Sequence, residues 1–478
     1  ECNLCNPYNS IIEKNSCVFR FAGGSWIWGI SWFYKKNWEE VYDWASHEIE
    51  MLDDNVPGSE KIDIKQGIKL HKINTEKFKT NLLAVFLTTK LNRQNVTKNA
   101  LISSILRRGT KNMPTSEQIS KTLEQMYGAS FDCGLDKTGD NQVLKFYIET
   151  INDNFLPSNS ENLLKESLEK ILDIVFNPYI ENDGFKEEYV EQEKNNIKQI
   201  IEGKIDNKAQ YALDRCIEEM YKNEDFGLYK FGYIEDLEKI NAKDLYNYYK
   251  ELINTCKIDI FVSGMLDNNV EQLVKENTCI NNLNEREASY TKLNICPKEE
   301  KKENVVTESM DVTQGKLIVG LDVNIDNEDL KYDTLIYNSI LGGSANSKMF
   351  QNVREKAHLA YVASSSYMRY KSNIFIKCGI EIGNYEKTLT LVKKQIEDME
   401  KGDFTEEEIE NAKKGIIASI KIIDDEQDTQ ITYYFGQELT GTIVSLEEYT
   451  KKIENVSKED IINIAKKVSI NTIYFLRD

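Results

Sequence analysis

Basic charge is what this 478-residue chain most lacks: 60 Lys and Arg stand against 79 Asp and Glu, a net charge of -19 with a pI near 4.9. Nucleic acid selects for basic surfaces, so it is excluded as a partner. Long apolar runs are also missing, and a spanning helix needs about 20 consecutive apolar residues, so no segment reads as a membrane span. Histidine is scarce. His47, His71 and His358 are all there is, and no two are near each other in sequence, so no local pair of imidazoles is on offer to a metal. Tryptophan is absent after Trp44. No charged n-region, apolar core and small-residue cleavage site can be read at the front. The nine cysteines form no framework and suit free thiols in a reducing cytoplasm, which is the expected location. What remains is 40% hydrophobic and 29% charged, enough for real cores in two or three domains.

The tryptophans divide the chain. Trp26, Trp28, Trp32, Trp38 and Trp44 all lie in the front segment, residues 1–60, which stays unassigned. Cys2 and Cys5 stand at a spacing that fits two thiolates of a tetrahedral zinc, but no second such pair follows, and unpaired cysteines are the plainer reading. His47-Glu48 starts like a metallopeptidase helix, yet Met51 stands where the second His belongs. The aromatic run from Val18 to Trp38 is too short to span a bilayer and suits an interface or an apolar patch.

From Lys61 the chain reads as α+β. Residues 63–75 and 80–91 are predicted strands, 98–106 a helix, and Thr115 with Gln118 a capping box opening the next helix. A hairpin turns at Thr138-Gly139-Asp140. Leu164, Leu168, Ile171, Leu172 and Val175 mark one buried helical face, and a longer helix runs from Phe185 to about Ile201. Residues 256–264 form a closing strand. A charged stretch without periodicity, 284–305, reads as a linker. The second half then repeats the first. FTEEEIENAKKGIIASI from Phe404 matches FKEEYVEQEKNNIKQII from Phe185, IENVSKEDIINIAKK matches LEKINAKDLYNYYKE, and TIYFLRD matches IDIFVSG. The expected organisation is therefore a first domain at 61–283, the linker at 284–305 and a second domain at 306–478. Two similar lobes would face each other, with a cleft between them as the default binding site.

The best functional lead is SKMFQNVREKAHLAYVASS, Ser347 to Ser365. Gly342 and Gly343 precede it as a helix stop that exploits glycine's tolerance of positive φ. An amphipathic run carrying Met349, Phe350 and Val353 then feeds into the strand alternation of Tyr361-Val362-Ala363, which brings Arg354 and Tyr361 near one another. A guanidinium and a phenol together can donate to a peptide carbonyl or an oxyanion. The plainer reading pairs Arg354 with a neighbouring Glu, packs Tyr361 in the sheet, and leaves His358 as a solvent-facing loop residue.

Two tandem halves, RRGT, LEQMYGASF and SKMFQNVREKAHLAY together resemble the M16 superfamily of pitrilysin, insulinase and the mitochondrial processing peptidase. The match covers about 61 to 478. KFKTN, RRGTKNMPTS, YGASF, DVTQGKL, VREKAHLAY, GDFTEEEI and TIYFL resemble more narrowly a non-catalytic M16 subfamily of Gram-positive bacteria, linked by name to 5-aminopentanol modification of elongation factor P. The resemblance implies two tandem αβ-roll domains of the metallohydrolase type forming a clamshell. Active members carry His-x-x-Glu-His on the helix before the Gly-Thr turn and a downstream Glu; two imidazoles and a carboxylate hold zinc, and the motif's Glu is the base. Here those positions fall on Ala100, Ser103, Ser104 and, downstream, Ile200. Ala and Ile cannot bind zinc, and hydroxyls are poor ligands without an imidazole. No metal or other cofactor is expected. Arg354 and Tyr361 match the family's substrate-contacting Arg and Tyr.

The implied function is a non-catalytic subunit that binds peptide and supplies Arg354 and Tyr361 to a zinc-bearing M16 partner for peptide or protein processing. A non-proteolytic peptide or protein scaffold tied to elongation factor P modification is the first alternative. A metalloendopeptidase with rearranged ligands is the second.

Overall fold

Strict alternation along Thr80–Lys90 decides how the first half is built. Leu83, Val85 and Leu87 point into one apolar core and Leu82, Ala84 and Phe86 into another, so the strand is buried on both faces. The computed structural model describes residues 59–156, 162–266, 269–294, 297–298 and 302–478, with the backbone of three short strands at 12–13, 16–20 and 26–28. The chain divides into Glu1–Lys61 and Ile62–Asp478, and the fold described below is that of the second unit. Among the described residues no helix is long and apolar enough to cross a membrane.

Strands β1 (Ser59–Lys65), β2 (Ile68–Asn74), β3 (Thr80–Lys90), β4 (Ser130–Thr138), β5 (Asn141–Ile151) and β6 (Lys257–Gly264) form a sheet of order β1-β2-β6-β3-β5-β4. Strands β7 (Asn304–Ser309), β8 (Gly315–Val323), β9 (Ala360–Met368), β10 (Asn373–Ile380) and β11 (Val468–Arg477) form a second, of order β7-β11-β8-β10-β9. Omitting β1, the two orders correspond strand for strand. So do the senses: β6 runs parallel to β2 and antiparallel to β3, as β11 does to β7 and β8. The repeat seen in the sequence is thus a repeat of topology.

The predicted strand 63–75 is two strands. Gly67, at φ +80, makes the turn that separates β1 from β2, and a side chain there would collide with Arg286. The capping box forms as expected, Thr115 accepting from the Gln118 amide and Gln118 from the Thr115 amide. Gly139, at φ +54, sits in the two-residue turn between β4 and β5.

Each sheet keeps one face for its own helices and offers the other to a helix of the opposite half. Ile431, Phe435 and Leu439 of the helix Gln427–Thr440 pack on Phe86, Val143 and Phe261 of the first sheet. Reciprocally, Ala212, Cys216, Ile217 and Met220 of the helix Lys208–Met220 pack on Ile318, Phe375, Tyr474 and Leu476 of the second. The space between the halves, expected as a binding cleft, is therefore filled with apolar side chains. The physical reason is that strands apolar on both faces need two coverings, and each half supplies the other's.

Charges are buried in the same interface. Lys257 pairs with Asp259 and, at 3.3 Å, with Glu438; Lys69 pairs with Glu438 at 2.7 Å; and the His71 ring meets Asp259 at 2.9 Å. Burial would raise the Asp259 carboxyl, but the Lys257 ammonium and the hydrogen bond with His71 hold it well below the ordinary range. Residues 284–294, read as part of a linker, are held at several points. The Lys90 amide donates to the Ser289 carbonyl (3.1 Å), the Thr291 amide to Asn141 (2.7 Å) and the Leu293 amide to the Leu439 carbonyl (2.9 Å).

Candidate functional site

The helix Val96–Ile105 is buried nearly all round, whereas its partner Glu187–Glu202 buries only Val190, Glu193 and Ile197. The two pack together in the first half, and they carry the four positions that the resemblance assigns to a degenerate zinc site. Ala100 is buried among apolar side chains there, and the Ser103 hydroxyl donates to the Ala100 carbonyl at 2.9 Å. Ser104 is half-buried on the same helix, and Ile200 is 42% exposed on the other. A carboxylate on the second of these helices, Glu193, is buried and already engaged: Arg108 pairs with one oxygen and the Asn196 amide donates to the other at 3.1 Å. Burial pushes the adjacent Cys133 thiol up, opposed by Arg107. A methyl, a committed hydroxyl, an exposed isoleucine and a carboxylate paired with arginine do not fit a zinc ion. Among the described residues no group of three or more His, Cys, Asp or Glu side chains is placed to hold a metal ion. Cys2, Cys5 and His47 lie outside the described residues.

The second candidate group sits in the other half. Met349–Lys356 forms a π-helical stretch whose Met349 and Val353 are buried in the second core. The Leu359 amide closes it on the Val353 carbonyl at 3.1 Å, and His358 takes a left-handed φ of +53 to make the corner. β9 then begins at an irregularity in its pairing with β10, between Ala360 and Val362. The consequence is unusual for a strand residue: Tyr361 is 63% exposed and Val362 is exposed beside it. Arg354 is exposed too, its guanidinium 4.6 Å from the Phe350 ring centroid and 3.4 Å from Glu355. Glu355 thus pairs with Arg354 as the plainer reading expects, but Tyr361 does not pack into the sheet. His358 is exposed, as expected.

Two supports of this corner carry no local sequence signal. The helix Leu330–Asn338 continues as a π-helical turn, Ser339–Gly343, and stops at Gly343 as expected, but neither glycine takes the left-handed φ expected of it; instead a Cβ on Gly342 would lie 2.6 Å from the Ser365 amide nitrogen. Glycine is needed for close approach to β9, a requirement no spacing rule reveals. Asn352 donates to the buried Gln395, tying the π-helical stretch to the helix Tyr385–Glu400. That bond joins residues 43 positions apart.

Residues 239–416 match the family described as Peptidase M16 inactive domain. Over 415 residues the chain is 34% identical to "Probable inactive metalloprotease YmfF" of Bacillus subtilis (strain 168), covering 86% of this chain and 96% of that protein. The chain belongs to the M16 peptidase family. An "Uncharacterized zinc protease YmxG" of the same bacterium is 23% identical over 64% of this chain and 74% of its own length. Among solved structures, a conserved protein from Enterococcus faecalis V583 superposes with a TM-score of 0.79 at 28% identity, covering 88% of this chain and 98% of its own. The peptidase M16 inactive domain from Pseudomonas fluorescens gives 0.71 at 17% identity over 88% of this chain and 98% of its own, a likeness of fold alone. The family model and the name of the Bacillus relative support an inactive M16 peptidase-like protein.

Proposed function

We propose that this M16 chain is a non-catalytic subunit that binds peptide and lends Arg354 and Tyr361 to a zinc-bearing M16 partner. One observation carries the reading: the zinc positions hold Ala100, Ser103, Ser104 and Ile200, while Arg354 and Tyr361 remain exposed on an ordered corner. Nothing in the fold itself calls for an exposed tyrosine at the start of a strand. Arg354 offers a fork of donors and Tyr361 a phenol, which together suit a peptide carbonyl as it becomes an oxyanion. The facing surface with the metal and the base comes from the partner, and the two chains close around the peptide as a clamshell. The chain lies in the cytoplasm, and elongation factor P or its modifying machinery is the client its sequence resemblance suggests.

The test is reconstitution with a zinc-bearing M16 chain of the same organism. The mixture cleaves peptide and neither chain does so alone. Arg354→Ala in the mixture lowers turnover about 100-fold, the scale for removing one oxyanion donor. If the mixture with Arg354→Ala turns over as fast as wild type, the trans-supply reading fails. Recovery of a client protein without any His-x-x-Glu-His partner would favour the scaffold role instead.

A further inference from the structure

Sheet edges present unpaired backbone donors and acceptors, and proteins ordinarily blunt them with charged side chains. Among the described residues, three of the four edge strands are blunted in this way. β1 carries Lys61 and Asp63, β4 carries Asp132 and Asp136, and β7 carries Glu308. β9 is not blunted. Its nine residues, AYVASSSYM, include no charge, proline or glycine. Past the irregularity at Tyr361 it runs in register with β10 from Val362 to Met368, and its outer side has no neighbouring strand among the described residues.

One face beside this edge is open as well. Alternation puts Val362, Ser364 and Ser366 of β9 on the same side as Phe375 and Lys377 of β10. The helix Lys208–Met220 covers that side over Ile318, Phe375, Tyr474 and Leu476, and of β9 only Met368 joins this core. Val362 is 54% exposed, and Ser364, Ser366 and Lys377 are half-buried. Lys377 lies directly across from Ser364, one strand in from the edge. It has no hydrogen bond or carboxylate partner among the described residues. Strands lie about 4.8 Å apart, so a chain laid along β9 would run about 10 Å from β10. A lysine and a glutamate bridge that gap together when only a serine stands between them. The surrounding charge has the same sign. From Thr334 to Ile380 the only acidic residue is Glu355, against Lys348, Arg354, Lys356, Arg369, Lys371 and Lys377, in a chain of net charge -19.

A free, uncharged edge calls for backbone pairing, and an uncommitted ammonium beside it calls for a carboxylate. We propose that β9 takes up an acidic segment of another protein in extended form, as an added strand whose glutamate or aspartate side chains meet Lys377. Tyr361 and Val362 stand at the start of this track, so the inference rests on the peptide-binding role and adds to it the class of peptide. A second copy of this chain is the poorer occupant. Joined edge to edge, two copies would bring Lys377 near its own counterpart and set together two bodies of charge -19.

Fluorescence anisotropy on the full chain tests this with short labelled peptides, capped at both ends, that alternate valine with glutamate, glutamine or lysine. The glutamate peptide binds about tenfold more tightly than the glutamine peptide, and the lysine peptide binds most weakly. Lys377→Met removes that preference while the glutamine peptide binds as before, which also reports that the variant is folded. Ser364→Glu sets a carboxylate of the protein itself against Lys377; it has the same effect and serves if Lys377→Met does not fold. N-methylating the glutamate peptide where its amides face β9 abolishes binding, and N-methylating the intervening residues spares it. Five results overturn the proposal: no binding of the glutamate peptide, equal binding of all three peptides, a preference that survives both substitutions, N-methylated peptides that behave alike, or self-association that competes with the peptide. The supply of Arg354 to a partner is judged separately, by turnover of the Arg354→Ala mixture, and stands or falls without these results.

Discussion

Replacing Phe435 by alanine tests how the two halves depend on each other. The side chain is 2% exposed, yet it belongs to the second half and fills the first half's second core. Its ring meets Phe86 edge-on at 4.9 Å and Phe261 at 6.4 Å. Removing a buried phenylalanine costs about 3–5 kcal/mol, because the lost contacts are joined by a cavity that relaxes only in part. The lost edge-to-face pairs place this site in the upper part of that range. Unfolding entropy of about 2.1 cal/mol/K per residue over some 400 residues gives about 0.8 kcal/mol per degree, so the melting temperature falls by about 5–6 °C. Calorimetry reads the shift, and hydrogen exchange reads where it acts. Protection should fall in β3, which carries Phe86, as well as in the helix Gln427–Thr440. If exchange quickens in that helix alone while β3 is unchanged, the sheet does not depend on its borrowed cover and the reciprocal packing argument is wrong.

Three further outcomes follow from particular residues. Gly342→Ala places a methyl 2.6 Å from the Ser365 amide, so it should cost about 1–3 kcal/mol in chemical denaturation and displace the Arg354 corner. His358→Gly relieves a left-handed residue and should raise stability by about 0.5–1 kcal/mol; a loss of that size would mean the imidazole makes a stabilising contact. Burial lowers the Lys137 ammonium to about 8, where its amine donates to the Phe226 and Leu228 carbonyls at 2.8 and 3.0 Å. The folded state therefore releases this proton before the unfolded chain does, and stability gains from Lys137 as pH rises from about 8 toward the ordinary lysine range near 10.5. Lys137→Met should flatten that rise in a series of denaturation midpoints, and an unchanged slope would refute the assignment.

Much of the local structure was legible from sequence because its causes are local. Thr115 and Gln118 cap a helix whatever surrounds them, Gly139 turns a hairpin, and alternation along β3, β8 and β6 marks strands. Repetition of whole blocks disclosed the duplication, since the same order of periodicities yields the same order of elements. The absence of zinc ligands at Ala100, Ser103, Ser104 and Ile200 is likewise a matter of residue chemistry alone. Arg354 and Tyr361 stood out through the helix-to-strand change between them, but their exposure was not readable. That depends on an irregularity in β9 and on Gly342 lying against Ser365.

Tertiary structure alone decided what fills the space between the halves. Phe435 and Cys216 read as residues of their own amphipathic helices, and no periodicity states which sheet a helix will cover. Burial of Glu438 with Lys69 and Lys257 joins residues that are far apart in sequence. Such contacts are set by the packing of whole elements, whereas capping, turning and alternation are set within a few residues of chain.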